Sequence, residues 1–258
     1  MQNFNMHTHT YRCGHAKGSE TEYIEAAIDA GFKTLGFSEH IAFEGWDSEF
    51  IRPKFENRFE YYDAINAAKE KYKGKIKIYL GTEFEYFDEN DEYYNEVKNY
   101  CDYMIIGEHN VKKFGEDLYR TCTDEMLDDY ARLIETALEK GYTKYVAHPS
   151  YFMITKDKFT EKCEQTIEKI AKAAKKYEAA LEINLKGMRY GIKKFGDYES
   201  YIYPHKKALE IIKEIKPYVV IGYDAHSPKV LFEREYEQIA RCMADGLKII
   251  DDPEFFLK

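Results

Sequence analysis

Residues 1–16, MQNFNMHTHTYRCGHA, contain three histidines, and the spacing of the first two governs how the rest of the chain is read. A short apolar-alternating run ends in His7, Thr8 and His9. Side chains on an extended backbone alternate with period 2, so both imidazoles project to the same side and two nitrogen donors converge. His15 follows six residues after His9.

The same pattern recurs outward along the chain. Residues 19–31, SETEYIEAAIDAG, open with a Ser19/Glu22 capping box and stop at Gly31, which predicts a helix. FKTLGFSEH then reads as a strand ending at Glu39 and His40. After a loop over 41–54 and a helix over 54–72, KIKIYLGTEFEYF is a strand finishing at Glu83 and Glu85. A helix over 91–100 leads to YMIIGEHN, which ends at Glu108 and His109, and a capped helix over 123–140 leads to KYVAHPS, which ends at His148. An amphipathic helix over 159–177 precedes AALEINLKGMR, read as a strand carrying Glu182, Asn184 and, just beyond, Arg189. A Gly- and Lys-rich loop, a helix over 204–215, the strand PYVVIGYDAHS ending at Asp224 and His226, and a helix over 233–244 complete the reading.

Seven strand-helix units without a linker or repeat place residues 1–258 in one α/β domain. The expected fold is a distorted seven-stranded (β/α)7 TIM-like barrel, with a doubly wound sheet second. Barrels of this type assemble their site from the C-terminal ends of the strands. Every expected strand delivers a polar candidate there, and seven of the eight histidines lie at or just after a strand end. His205 alone falls outside and reads as a helix-start residue.

Composition narrows the chemistry. Hydrophobic content of 44% with 33% charge excludes disorder, and no run of about 18 apolar residues exists to span a bilayer. No export signal is visible, so the expected location is cytoplasmic, with no membrane partner. Five scattered cysteines without a CxxC pair suggest neither a disulfide framework nor a thiolate zinc site. A net charge of −9 argues against nucleic acid as an electrostatically held partner. Several bound divalent cations would instead make a locally positive hole that suits a small anionic molecule. Imidazoles mixed with carboxylates suit zinc, iron or manganese better than calcium or magnesium, and nine candidates exceed one tetrahedral site. Two or three ions are expected, and the oligomeric state is left open.

The motifs HTH, YRCGHA, GFSEH, GTEFEY, IGEHN, VAHPS, EINLKGMR and YDAHSP, in this order, resemble the PHP family of metallophosphoesterases, and most closely its histidinol-phosphate phosphatases. The resemblance runs from His7 to Pro228. It implies a distorted seven-stranded barrel, three divalent transition-metal ions and hydrolysis of L-histidinol phosphate, a small phosphorylated substrate, in histidine biosynthesis. Carried over by position, it puts His7, His9, Glu83 and Asp224 on one ion, with Glu83 bridging to a second that also takes His109 and His148. The third takes His15, His40 and His226. Arg189 becomes the candidate phosphate clamp, with Arg12 and Arg52 behind it. Asp224 or His226 is the candidate to protonate the leaving alkoxide, Asn184 a candidate phosphate contact, and Glu39 a candidate for the ammonium or imidazole, along with Glu44, Asp47 and Glu85. The competing readings are a related phosphoesterase with another small substrate, and a noncatalytic metal-binding module of the kind attached to DNA polymerases. A metal-dependent amidohydrolase, which usually carries a carboxylated lysine or bridging carboxylate on a different strand pattern, is disfavoured because no lysine stands at an expected strand end in the required place.

Overall fold

The structure, a computed structural model, describes residues 1–46 and 50–257. Among the described residues ten strands occur: β1 (Phe4–Asn5), β2 (Thr34–His40), β3 (Lys77–Phe84), β4 (Tyr103–Ile106), β5 (Tyr145–Val146), β6 (Ala180–Asn184), β7 (Ile192–Phe195), β8 (Tyr198–Tyr201), β9 (Tyr218–Gly222) and β10 (Lys248–Ile249). Eight of them form one sheet in the order β1-β2-β3-β4-β5-β6-β9-β10, with every pairing parallel. The crossovers are α1 (Glu20–Asp29), α2 (Arg58–Lys71), α3 (Asp91–Tyr100), α4 (Asp124–Glu139), α5 (Glu161–Lys176), the single turn α6 (Leu185–Arg189), α7 (Lys206–Ile215) and α8 (Arg234–Met243).

The helices start where local chemistry says they should. Ser19 and Glu22 exchange the reciprocal hydrogen bonds of a capping box, and Thr123 and Thr160 cap α4 and α5 by accepting from the backbone N–H three residues on. His205 stands at the N-terminus of α7 but is a core residue, stacked on Phe159 at 4.8 Å with its Nε2 3.2 Å from the Tyr198 hydroxyl. Burial, reinforced by nearby Lys207, pulls its pKa down to about 4, so it stays neutral near pH 7.

The sheet differs from the expected one in three places. It has eight strands rather than seven, because after α8 the residues Lys248 and Ile249 pair with Tyr218 and Val219 of β9. Two residues carry too little periodicity to announce a strand. The stretch after β6 is not extended as far as Arg189: Asn184 accepts from the Gly187 N–H and turns LKGMR into α6. The loop that follows is a β7-β8 hairpin.

Curling of the sheet brings its first strand back towards β9. Beyond the C-terminal ends of both, the His9 N–H donates to the Ala225 carbonyl at 2.9 Å and the Ala225 N–H to the His7 carbonyl at 3.0 Å. These two bonds hold the HTH segment against YDAHS. One apolar cluster fills the space between sheet and helices. A second, with Phe4, Met6, Tyr79, Tyr103, Ile105, Tyr145 and Val220, lies on the inner face and is closed by Phe256, whose ring is 4.9 Å from that of Tyr145. The polar residues at the strand ends therefore sit on a packed floor.

Candidate metal centre

Glu83, at the end of β3, is the hub of the site. Its Oε1 lies 2.8 Å from His148 Nε2 and 3.7 Å from His109 Nε2, and its Oε2 lies 3.2 Å from His9 Nε2, 3.2 Å from His40 Nδ1 and 3.4 Å from His7 Nε2. A side chain larger than hydrogen at Gly107 would remove the space it occupies, since a Cβ there would stand 2.0 Å from Glu83 Oε1. Asp224 faces the hub across the site, with Oδ1 3.6 Å from His7 Nε2, 3.5 Å from His9 Nε2 and 3.1 Å from His226 Nδ1. The nine expected ligands are thus brought together. Donor atoms converge in sets that include His7, His9 and Asp224; His7, Glu83 and His148; and His15, His40 and His226.

Two of these residues are held in an unfavourable backbone conformation: φ is 45° at Asp224 and 30° at His148. Such positions cost on the order of 1–3 kcal/mol each for a residue with a Cβ and persist where surrounding contacts over-determine them. Here the His148 N–H donates to Glu182 at 2.9 Å, and Asn184 Nδ2 donates to Asp224 at 3.1 Å.

Carboxylates behind the rings fix which nitrogen points inward. His7 Nδ1 is 2.7 Å from Glu182 and His9 Nδ1 is 3.3 Å from Glu39, both hydrogen-bonded, while His109 Nδ1 lies 3.3 Å from Glu85 without a hydrogen bond. A ring that donates through Nδ1 presents a lone pair at Nε2. With both rings neutral, His7 Nε2 and His9 Nε2 then face one another at 3.1 Å as lone pairs. His15 and His226 have a related arrangement: each Nδ1 meets a carbonyl at 3.1 Å, of Cys13 and of Asp224, and the two Nε2 atoms stand 2.9 Å apart, with Lys186 Nζ also 3.1 Å from His226 Nε2. Facing lone pairs repel unless an electrophile lies between them. Two nitrogens on a tetrahedral zinc at about 2.0–2.1 Å are separated by roughly 3.3 Å, so both pairs have the spacing of ligands to a shared ion. Asp224 Oδ1 is also buried and takes no hydrogen bond. The donor set therefore fits divalent transition-metal ions.

Charge balance points the same way. Five buried carboxylates (Glu39, Glu83, Glu85, Glu182 and Asp224) meet two fixed cations, Arg52 on Glu85 and Lys186 near Asp224. Burial would raise the pKa of Glu83, but His7, His109 and His40 hold it well below the usual range. Burial likewise works against Asp224, where Lys186 and His7 prevail and keep it ionised. Burial first, and then neighbouring cationic groups, drive His40 and His226 well down, whereas His7 and His9 are raised because the surrounding carboxylates outweigh their burial.

Several candidates serve other purposes. Arg189 is not brought to the cluster: its Nε donates to Glu233 at 2.6 Å and an Nη to the Tyr223 carbonyl at 2.9 Å, which commits the fork elsewhere. Arg12 pairs with Glu20, and Arg52 is fully buried in a two-bond ion pair with Glu85, stacked 4.2 Å from the Trp46 ring. Asn184 has no free polar atom, since Nδ2 donates to Glu182 and Asp224 while Oδ1 accepts from Gly187. Glu39 is spent on His9 and on the Thr10 backbone and hydroxyl. Both are hydrogen-bonded to expected ligands, Glu39 to His9 and Asn184 to Asp224. Glu44 is exposed, and Asp47 lies outside the described residues.

A cleft of about 640 Å³ opens above the cluster. His15, His40, His109, His148 and Asp224 form its floor, and Trp46, Phe114, Tyr119, Tyr151, Tyr190 and Tyr203 line its walls. Glu116, Asp117 and Lys186 also border it. Sequence reading passed over these three. The first two follow β4 in a loop anchored by the Leu118 N–H on the His109 carbonyl at 2.8 Å, and loops after strand ends were the signal available.

A model of the PHP domain matches residues 5–186. The chain belongs to the PHP domain family. Among relatives of this PHP protein, a probable histidinol-phosphatase of Deinococcus radiodurans is 29% identical over 151 residues, covering 55% of the chain and 58% of the relative. The chain thus spans little more than half the length of that relative. The histidinol-phosphatase of Lactococcus lactis is 23% identical, covering 89% of the chain and 86% of the relative. The Lactococcus lactis histidinol phosphate phosphatase crystallised with zinc, L-histidinol and phosphate superimposes with a TM-score of 0.65 at 19% identity, over 96% of this chain and 95% of that one. At that identity the likeness establishes the PHP fold.

Proposed function

We propose that this chain is a metal-dependent histidinol-phosphate phosphatase, hydrolysing L-histidinol phosphate to L-histidinol and inorganic phosphate. The observation that carries the chemistry is the convergence of imidazole lone pairs and unpaired carboxylate oxygen around Glu83. The substrate is supported by the relatives named histidinol-phosphatases, of which the Lactococcus lactis one is matched over 86% of its length. Residues 1–258 act as one domain, and the curled sheet is read as a seven-stranded barrel joined at His7–His9 with β10 as an addition. Five free cysteines agree with a cytoplasmic location.

His7, His9, Glu83 and Asp224 would hold one ion, Glu83, His109 and His148 a second, and His15, His40 and His226 a third, each zinc, iron or manganese. When bound, such ions supply a hydroxide nucleophile at neutral pH and neutralise charge on the phosphoryl oxygens. The chain does the rest. Glu182 and Glu39 lock the rings of His7 and His9, and Glu83 spans between ion positions. Asp224, kept ionised, has no proton for the leaving alkoxide and serves as a ligand, as does His226; water or another acid supplies that proton. The aromatic walls suit an imidazole, and Glu116 and Asp117 suit an ammonium.

The test is phosphate release by the metal-replete protein from L-histidinol phosphate, a sugar phosphate and a phosphodiester. The expected result is strong preference for L-histidinol phosphate, abolished by a chelator and restored by zinc or manganese. Preference for the phosphodiester would overturn the substrate assignment.

A further inference from the structure

LKGMR offers two cations, and the structure separates their tasks. Arg189 is turned to Glu233 and the Tyr223 carbonyl, whereas Lys186 is turned to the cleft. Its Nζ lies 3.1 Å from His226 Nε2 and 3.7 Å from Asp224 Oδ1, with the side chain 26% exposed. Among the described residues no other lysine or arginine comes within 4 Å of Glu83 or Asp224. We propose that Lys186 is the phosphate-contacting cation of this site and that it shares the His226 Nε2 lone pair with the third ion in a mutually exclusive way.

The argument is one of donors and acceptors. His226 Nδ1 meets the Asp224 carbonyl at 3.1 Å, so the lone pair is at Nε2. That lone pair accepts from the Lys186 ammonium or binds an ion alongside His15 and His40, and a single lone pair serves one partner. With the ion in place, the ammonium is released from His226. Its three N–H groups then face the cleft, where Asp224 is taken up by ligation and an incoming phosphoryl oxygen is the available acceptor. An ammonium beside several divalent ions is electrostatically unfavourable until an anion arrives, which makes phosphate binding and the lysine's position mutually supporting.

The inference rests on reading the site as a metal phosphoesterase, not on which ester it cleaves. It is tested by titrating inorganic phosphate into zinc-replete wild type and Lys186→Met, and zinc into the metal-free forms of both. Phosphate affinity should fall about 10- to 100-fold in Lys186→Met, the range of one hydrogen bond to a charged group. Zinc affinity should rise or hold, because a competing donor and a like charge are gone. Lys186→Arg should recover part of the phosphate affinity. Unchanged phosphate affinity overturns the proposal, and so does a parallel loss of zinc and phosphate, which would mark a lysine that only supports the ligands. If the wild type binds phosphate and Lys186→Met loosens it, yet L-histidinol phosphate is not cleaved, the substrate assignment falls and this one stands. If the zinc-replete wild type binds no phosphate, both fall.

Discussion

Replacing Glu83 with glutamine is expected to cut kcat by on the order of 10²- to 10⁴-fold and to lower zinc content by at least one ion per chain. Five imidazoles, those of His7, His9, His40, His109 and His148, point ring nitrogens at this carboxylate within 3.7 Å. The amide has the same shape but carries no charge, and its NH2 presents hydrogens where lone pairs are needed. Removing one partner from a buried charge cluster typically costs about 3–5 kcal/mol, which sets the size of the expected loss. Enzyme kinetics with elemental analysis of the same preparation checks it. A glutamine variant with wild-type zinc and rate would show that Glu83 is not a shared ligand.

Gly222→Ala should damage the centre from behind, without touching any ligand. A Cβ at residue 222 would stand 1.7 Å from Glu182 Oε1 and 2.5 Å from the Tyr145 hydroxyl, so the carboxylate has to move. Glu182 accepts from His7 Nδ1, the Tyr145 hydroxyl, the His148 N–H and Asn184 Nδ2, all within 2.9 Å. Displacing it frees the His7 ring and loosens the strained His148 backbone together. Overpacking costs roughly 1–3 kcal/mol, and loss of a carboxylate behind a ligand histidine lowers metal affinity about 10- to 100-fold. Thermal melting of the metal-free protein should show a fall of several degrees, and a zinc isotherm the weaker binding. Wild-type zinc affinity in this variant would mean that Glu182 does not orient His7.

The convergence of the candidate ligands was legible because their placement is local. Apart from His15, which follows a short helical turn, each candidate ligand lies at or just beyond the end of a strand whose direction and period can be read from neighbouring residues. What each side chain does there was less legible, since it depends on partners far along the chain. Arg189 and Lys186 are three residues apart in sequence, and Glu233, 44 residues beyond Arg189, decides between them. Asn184 and Glu39 look like substrate contacts until the groups that consume their polar atoms are known. The β7-β8 hairpin is missed in the sequence, where it reads as a loop, although Gly196 and Asp197 make a two-residue turn between strands and Gly196 has φ of 67°. Positive φ at His148 and Asp224 left no mark in the sequence, because the strain comes from Glu182 and Asn184 holding those residues from β6.

The central claim, that nine residues from the strand ends hold three ions, is tested most directly by anomalous diffraction from crystals of the protein prepared without chelator. Three peaks are predicted: one among His7, His9, Glu83 and Asp224, one among Glu83, His109 and His148, and one among His15, His40 and His226. A single peak, or none in crystals soaked with zinc and manganese, would contradict it.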